Sequence, residues 1–176
     1  MVRMYISGNK LLGMPVVSLQ TGQALAMIDG LVLDYRALEA VALLCAIPRR
    51  PAVVVITRDI REWAKGAVLV NSEDDLSEAA DIVRLQPLLD ENFKLTGTLV
   101  KTELGSRLGR VESYTIDTET GQVQKLYVKQ SVLRNILVGN LTVDRSQIVD
   151  ASPKLITVRD ASIKEPAALA QPIAPK

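Results

Sequence analysis

The fold is decided by a stretch that the chain contains twice: Leu12-Gly13-Met14-Pro15-Val16-Val17-Ser18 and, 84 positions later (97 − 13), Thr96-Gly97-Thr98-Leu99-Val100-Lys101-Thr102. The match continues at an offset of 83, where Gly22, Leu25, Ile28, Leu33 and Asp34 correspond to Gly105, Leu108, Val111, Ile116 and Asp117. Self-similarity at a nearly constant spacing indicates that one structural unit has been duplicated. The 176 residues are therefore predicted to form two copies of one small fold.

Each copy has the pattern of a β-hairpin followed by short strands. In the second copy, Leu108–Ile116 and Val123–Lys129 flank a turn that ends at Gly121, where glycine supplies a positive φ. In the first copy, Leu38 stands where the second has Gly121, so that turn is expected to differ in shape or to be strained. The closing strands are predicted at 52–56 and 67–70 in the first copy, and at 141–143 and 155–158 in the second. A single helical turn is expected at 144–148, and about five extra residues of the second copy are assigned to the loop at 131–139.

The segment between the copies has the pattern of a docked helix. Its apolar residues recur near the 3.6-residue period, at Leu76, Ile82, Leu85 and Leu89, and Pro87 is expected to break or kink the helix. The predicted organisation is a first domain at 1–72, a helical connector at 73–91, a second domain at 92–161 and a disordered tail at 162–176.

Composition narrows the class of protein. Hydrophobic residues make up 48% of the chain but aromatic residues only 3%, so two aliphatic cores are expected, without an aromatic platform for bases. The net charge of +1 provides no long-range attraction to nucleic acid or to anionic membranes. The single cysteine, Cys45, lies in an apolar run and is predicted to be a buried, inert thiol. No stretch has the length of a membrane-spanning helix, and no secretory signal is recognised. A cytoplasmic protein without membrane insertion is predicted.

The glycine and hydrophobic pattern resembles the PRC-barrel family. The first copy carries it as Gly-x-Pro-Val-x-Ser from Gly13 and Gly-Leu-Val-Leu-Asp from Gly30, and the second as Gly-x-x-Leu-Gly-x-Val-Glu-x-Tyr-x-Ile-Asp from Gly105. The resemblance covers most of 12–160 and implies an all-β fold: two six-stranded, mainly antiparallel β-barrels in tandem, joined by a short helical connector. Members of that family bind other macromolecules, among them ribosomal and photosynthetic complexes. The resemblance brings no catalytic residue and no cofactor.

The residues themselves favour a protein that is not an enzyme. The chain has no histidine, which removes the commonest general base and zinc ligand. Two carboxylate pairs occupy matching positions in the copies, Asp29 with Asp34 and Glu112 with Asp117. Each pair is either an acid and a base, or a solvent-facing residue (Asp29, Glu112) followed by one that opens a turn (Asp34, Asp117); the second interpretation is favoured. Glu73-Asp74-Asp75 forms either a cation site or the acidic start of a helix, and again the second reading is favoured. No catalytic, cofactor or metal site is predicted.

Four basic residues of the second hairpin are the candidate contact face for a partner: Arg107, Arg110, Lys125 and Lys129. Their charge would suit RNA backbone, whereas the acidic neighbours Glu103, Glu112 and Glu119 favour an ordinary solvated surface. The first hypothesis is a non-enzymatic cytoplasmic adaptor that binds a protein partner, and RNA or ribosome association is the alternative. An enzyme or ligand binder in a cleft between the copies is a third reading. Homo-oligomer formation is left open.

Overall fold

A computed structural model describes residues 4–130 and 140–159. Its fourteen strands are β1 (Tyr5–Ser7), β2 (Pro15–Ser18), β3 (Ala24–Asp34), β4 (Glu39–Ala46), β5 (Val53–Ile56), β6 (Glu62–Ala64), β7 (Ala67–Val70), β8 (Leu76–Glu78), β9 (Leu99–Thr102), β10 (Arg107–Asp117), β11 (Val123–Lys129), β12 (Asn140–Asp144), β13 (Ile148–Ala151) and β14 (Leu155–Val158). Two short α-helices, α1 (Gly8–Leu11) and α2 (Gln86–Glu91), accompany them. The 3₁₀ turns are Thr57–Asp59, Glu73–Asp75, Ala79–Asp81, Val83–Leu85 and Arg145–Gln147. The predicted tail and the loop at 131–139 lie outside the described residues.

The strands form two seven-stranded sheets with one repeated order. The first sheet runs β6-β7-β2-β3-β4-β5-β8, and the second runs β13-β14-β9-β10-β11-β12 with β1 added beside β10. Six strands therefore occur in the same order in both halves, and β8 and β1 are the additional ones. Each sheet is mixed, because β2 pairs with β7 and β9 pairs with β14 in parallel.

The hairpins also repeat residue by residue. Met27 lies opposite Ala46 and Val32 opposite Ala42; at the offset of 83, Arg110 lies opposite Lys129 and Thr115 opposite Lys125. Both hairpins shift register at the same two places, after Ile28 and Val32 in the first and after Val111 and Thr115 in the second. Register is set by the hydrophobic pattern and by the turn. The shared register shows that the sequence repeat is also a repeat of structure.

Two parts of the predicted fold class are wrong. The halves are not antiparallel barrels, because among the described residues no ladder joins β6 to β8 or β12 to β13, so neither sheet closes. The copies are not joined by a helical connector either, because residues 73–91 contain three 3₁₀ turns, the strand β8 and only six α-helical residues. Pro87 does not break a helix there; it lies in the first turn of α2, where its missing N–H has no helical partner to lose.

The halves meet at their hairpin turns in a reciprocal arrangement. Ala40 N–H donates to the Gly121 carbonyl and Val123 N–H donates to the Leu38 carbonyl, both at 2.8 Å. Leu38 corresponds to Gly121, and Ala40 corresponds to Val123, at the offset of 83. An approximate two-fold rotation that superimposes one half on the other therefore also superimposes one hydrogen bond on the other, as in a symmetric dimer. Leu38 has φ +49° and Gly121 has φ +73°, so both turns have a left-handed residue at this position. Of the two predicted alternatives, a different turn shape or strain at Leu38, the structure fits the second.

The expectation of a separate core for each copy is wrong. One contiguous apolar cluster includes fully buried residues of both halves, such as Val16 and Leu43 from the first and Val100 and Leu126 from the second. The segment before each copy also contacts the other copy. Strand β1 pairs with β10, and α2 with the residues after it packs near β3, where the Phe93 ring lies edge-on to Tyr35 at 5.6 Å.

Candidate partner-binding surface

The four predicted basic residues lie on one face of the second sheet. Arg110 and Lys129 are direct cross-strand neighbours, and Lys125 lies four positions before Lys129 on the same side of β11. On the neighbouring strand β9, Arg107 lies opposite Lys101 and Arg110 lies opposite Leu99. Because Lys101 and Leu99 are two residues apart, they are on the same face of the sheet. The β-bulge between Arg107 and Gly109 therefore puts Arg107 on the same face as Arg110. The structure therefore brings together all four residues. We call this side of the second sheet its outer face, because the opposite side contributes to the shared core.

Three of these four side chains have partners within the protein. Arg110 donates to the Gly97 carbonyl at 2.7 Å. Lys125 Nζ lies 3.8 Å from Asp144 Oδ1, and Lys129 Nζ lies 4.0 Å from Glu112 Oε1. Both ion pairs are exposed, and exposed pairs contribute little to stability. The side chains can exchange these partners for others at small cost.

The corresponding face of the first sheet is apolar and covered. Val32, Ala42 and Val54 form a second buried cluster with Leu85 of the connector, and Ile82, Leu88 and Leu89 pack against it. The prediction that the connector is docked is confirmed. The cover lies on the side of the sheet that faces away from the shared core, so the first sheet is sandwiched between that core and the connector.

At the same register positions the second sheet carries polar residues. Thr115 corresponds to Val32 and Lys125 to Ala42 at the offset of 83, and Thr142 corresponds to Val54 at the offset of 88. The last match is fixed by register, because Val54 lies opposite Leu44 and Thr142 opposite Tyr127. Within 4–130 and 140–159 no segment covers this face with a second buried cluster. Tyr127 and Thr142 were not identified as residues of this face from the sequence. The polar Thr142 in Leu141-Thr142-Val143, where the first copy has the all-apolar Val53-Val54-Val55, could have indicated it.

The outer edges of β5 and β12 differ in the same way. The edge of β5 pairs antiparallel with β8, with Val53 opposite Glu78, Val54 opposite Ser77 and Val55 opposite Leu76. In the part of the chain that the structure describes, β12 pairs only with β11. An open strand edge presents unpaired N–H and C=O groups to other chains.

Asp34 and Asp117, which occupy matching positions in the two copies, make the same turn hydrogen bond. Asp34 Oδ1 accepts from Arg36 N–H and Asp117 Oδ1 accepts from Glu119 N–H, each at 2.9 Å, which confirms the turn-opening reading. The acidic run 73–75 forms a 3₁₀ turn by itself. Asp75 Oδ2 accepts from Asn71 N–H at 2.7 Å, and Glu73 Oε1 lies 2.9 Å from a guanidinium nitrogen of Arg50. No group of three or more metal-ligating side chains occurs among the described residues.

Two buried groups have raised pKa values. Burial, with a smaller contribution from Asp29, raises the pKa of the Cys45 thiol to about 12. Cys45 is 1% exposed, which confirms that the thiol is buried, and the raised pKa favours its inert, protonated form. Burial also raises the pKa of Tyr114 to about 12. The ring of Tyr114 lies against Gly8, where any side chain would collide with it.

A cleft lies where the halves meet, with a volume of about 190 Å³ and a lining that includes Arg36, Leu38, Arg145 and Asp150. Arg145 is committed to the fold there, since its guanidinium donates to the Ala37 carbonyl at 2.7 Å and to the Leu38 carbonyl at 3.4 Å. Ligand pockets usually measure about 300–1,000 Å³ and are mainly apolar. This polar cleft is a poor fit to the ligand-binding hypothesis.

Comparison with known proteins does not identify a family for this chain. No family model matches the chain, and no curated protein matches it. The resemblance to PRC-barrel proteins stays a prediction. No helix among the described residues has the length and apolar character needed to span a bilayer.

Proposed function

We propose that this protein is a non-enzymatic cytoplasmic binding module that engages a protein partner through its second sheet. The observation that supports this proposal is the contrast between equivalent positions. The first sheet covers its outer face and its β5 edge with its own connector, whereas the described residues leave both features of the second sheet uncovered. The resemblance to a family whose members bind macromolecules supports the same role.

The test compares a variant of the second sheet with a variant of the first sheet. The second-sheet variant carries Lys125→Glu and Thr142→Arg, both on the outer face. The control carries Met27→Glu on the first sheet, at an exposed position that corresponds to Arg110. Proteins retained by the intact chain from its source cells are identified, purified and titrated with all three proteins. We expect the second-sheet variant to bind at least about tenfold more weakly and the control to bind like the wild type, since a lost interface contact of about 1.4 kcal/mol is a tenfold effect. Equal binding by all three would contradict the proposal.

RNA is the second candidate partner, because four basic side chains share the outer face. Phosphate contacts make binding strongly dependent on salt. This candidate predicts salt-sensitive co-sedimentation with ribosomal particles that is lost when Lys125 and Lys129 are both changed to Glu. A protein that stays at the top of a low-salt gradient would exclude this role.

A further inference from the structure

We infer that the outer edge of β12 binds an extended segment of a partner protein as an additional antiparallel strand. The inference rests on the proposed function and deepens it, because it states how the partner is held. Main-chain hydrogen bonds to a sheet edge give affinity, and the alternating side chains of the added strand give specificity.

The template for this contact lies in the same molecule. The edge of β5 binds β8 in antiparallel register, and Ala79 N–H continues the ladder by donating to the Ala52 carbonyl at 2.9 Å. Leu76 of β8 lies opposite the fully buried Val55 and packs against the shared core. Ser77, the next residue, lies opposite Val54 and faces the other side of the sheet, since strand side chains alternate.

The equivalent register of β5 and β12 predicts which residues of a partner strand would lie opposite each residue of β12. Val143 corresponds to Val55, because each lies opposite an equivalent leucine, Leu126 and Leu43. An apolar residue of the partner is therefore expected opposite Val143, where it reaches the core. A small polar residue is expected opposite Thr142, on the open outer face.

Charge selects the orientation and the ends of the partner segment. Asp144 ends β12, and its side chain is 56% exposed. At the other end, Lys129 lies one strand inward of Asn140 on the outer face, with 63% of its side chain exposed. A basic residue of the partner opposite Asp144 and an acidic residue opposite Asn140 complement these charges. The occupant we infer is therefore an extended segment with the order basic, apolar, small polar, any residue, acidic.

The probe is built from the chain's own template. A capped peptide of residues 74–80 with Asp75→Lys and Ala79→Glu has the inferred order, Lys-Leu-Ser-Glu-Glu at its centre. Two control peptides match it in length. One keeps Asp75 and carries Ala79→Lys, which reverses the charge pattern. The other adds Ser77→Pro and Glu78→Pro, so that whichever of the two amides faces β12 is removed.

The full-length protein is titrated with each peptide, and amide shifts and hydrogen exchange are followed at residues 141–144. We expect the probe to slow exchange at alternate amides of β12, the charge-reversed peptide to bind at least threefold more weakly, and the proline peptide not to bind. Unchanged exchange at these amides up to millimolar probe, or equal binding of the proline peptide, would overturn the inference. It would also be overturned if β12 is occupied by a second copy, seen as concentration-dependent dimerisation, or by residues 160–176, seen as probe binding only after their removal.

The two proposals can fail separately. If the probe fails but the purified partner still loses affinity for the Lys125→Glu, Thr142→Arg variant, the proposed function stands and strand addition is wrong. If the probe binds β12 but no partner depends on this sheet, the edge is competent and the proposed function is wrong.

Discussion

Val54 and Thr142 occupy the same position in two sheets of the same strand order, yet Val54 is fully buried beneath the connector and Thr142 is exposed. The strand pairs around them match, including two register shifts in each hairpin. The difference lies in the residues on the outer face and in the segment that follows the last strand of the first copy. A duplicated fold can therefore cover one copy with its own connector while the described residues leave the same surface of the other copy uncovered.

Removing the cover of the first sheet should destabilise the protein more than any other change considered below. Leu85 is 3% exposed and anchors the connector on Val32, Ala42 and Val54. Leu85→Ala should lower the free energy of unfolding by about 2–4 kcal/mol, because it leaves a cavity in a packed cluster. Denaturant unfolding measures this change. Val83→Ala, two residues earlier at a side chain that is 81% exposed, is the control and should change stability by less than about 0.5 kcal/mol. Equal effects would show that the connector does not cover the sheet.

Exchanging the two equivalent residues tests the comparison position by position. Val54→Thr places a hydroxyl under the connector and should lower the free energy of unfolding by about 1–3 kcal/mol. Thr142→Val changes an exposed residue and should stay within about 0.5 kcal/mol of the wild type. Thermal or denaturant unfolding of both variants provides the measurement. A loss at Thr142 as large as that at Val54 would contradict an open outer face on the second sheet.

The junction between the halves should be sensitive at Gly121. A Cβ there would lie 2.7 Å from the Ala40 carbonyl oxygen, and φ is +73°. Gly121→Ala should lower the free energy of unfolding by roughly 1–2 kcal/mol, from backbone strain and from displacement of the other half. Gly105→Ala is the matched control, since Gly105 also has positive φ, +86°, but no atom within 4 Å of an added Cβ. If both variants lose the same amount, contact between the halves at this turn contributes nothing measurable.

Alkaline pH should act on one buried group in each half. Burial raises the pKa of Cys45 from 9.0 to about 12 and that of Tyr114 from 10.0 to about 12. The unfolded chain therefore releases these protons first, so their contribution to stability is complete below about pH 9 and declines as the pH rises towards 12. Between pH 8 and about pH 10.5, the wild type should lose on the order of 1 kcal/mol more than Cys45→Ala and more than Tyr114→Phe. Parallel pH profiles for all three proteins would show that neither group is buried in the folded state.

Local features of this fold could be predicted from the sequence, and distant pairings could not. The turns at Asp34 and Asp117, the left-handed Leu38 and the long strands β3 and β10 follow from turn chemistry and alternation over many residues. Strands β1 and β8 are three residues long, too short for alternation to be recognised. Closure of a sheet depends on whether its edge strands meet, and no local pattern records that.

The candidate surface was partly predictable for the same reason. Arg110, Lys125 and Lys129 fall on one side of a hairpin whose register follows from its turn, so the shared face could be anticipated. The edge of β12 could not, because its importance comes from comparison with β5 and from the position of β8. The shared core escaped prediction because apolar content alone does not show whether two copies bury their residues separately or together.

Amide hydrogen exchange in the full-length protein, without any partner, distinguishes a strand that is paired on both sides from an open sheet edge. Alternate amides of a strand point to opposite neighbours, so a strand with two partners is protected throughout and an edge strand only at every second amide. The structure predicts slow exchange at all of Val53–Val55, which lies between β4 and β8, and alternating slow and fast exchange along 141–144. Uniformly slow exchange along 141–144, matching β5, would contradict an open second sheet.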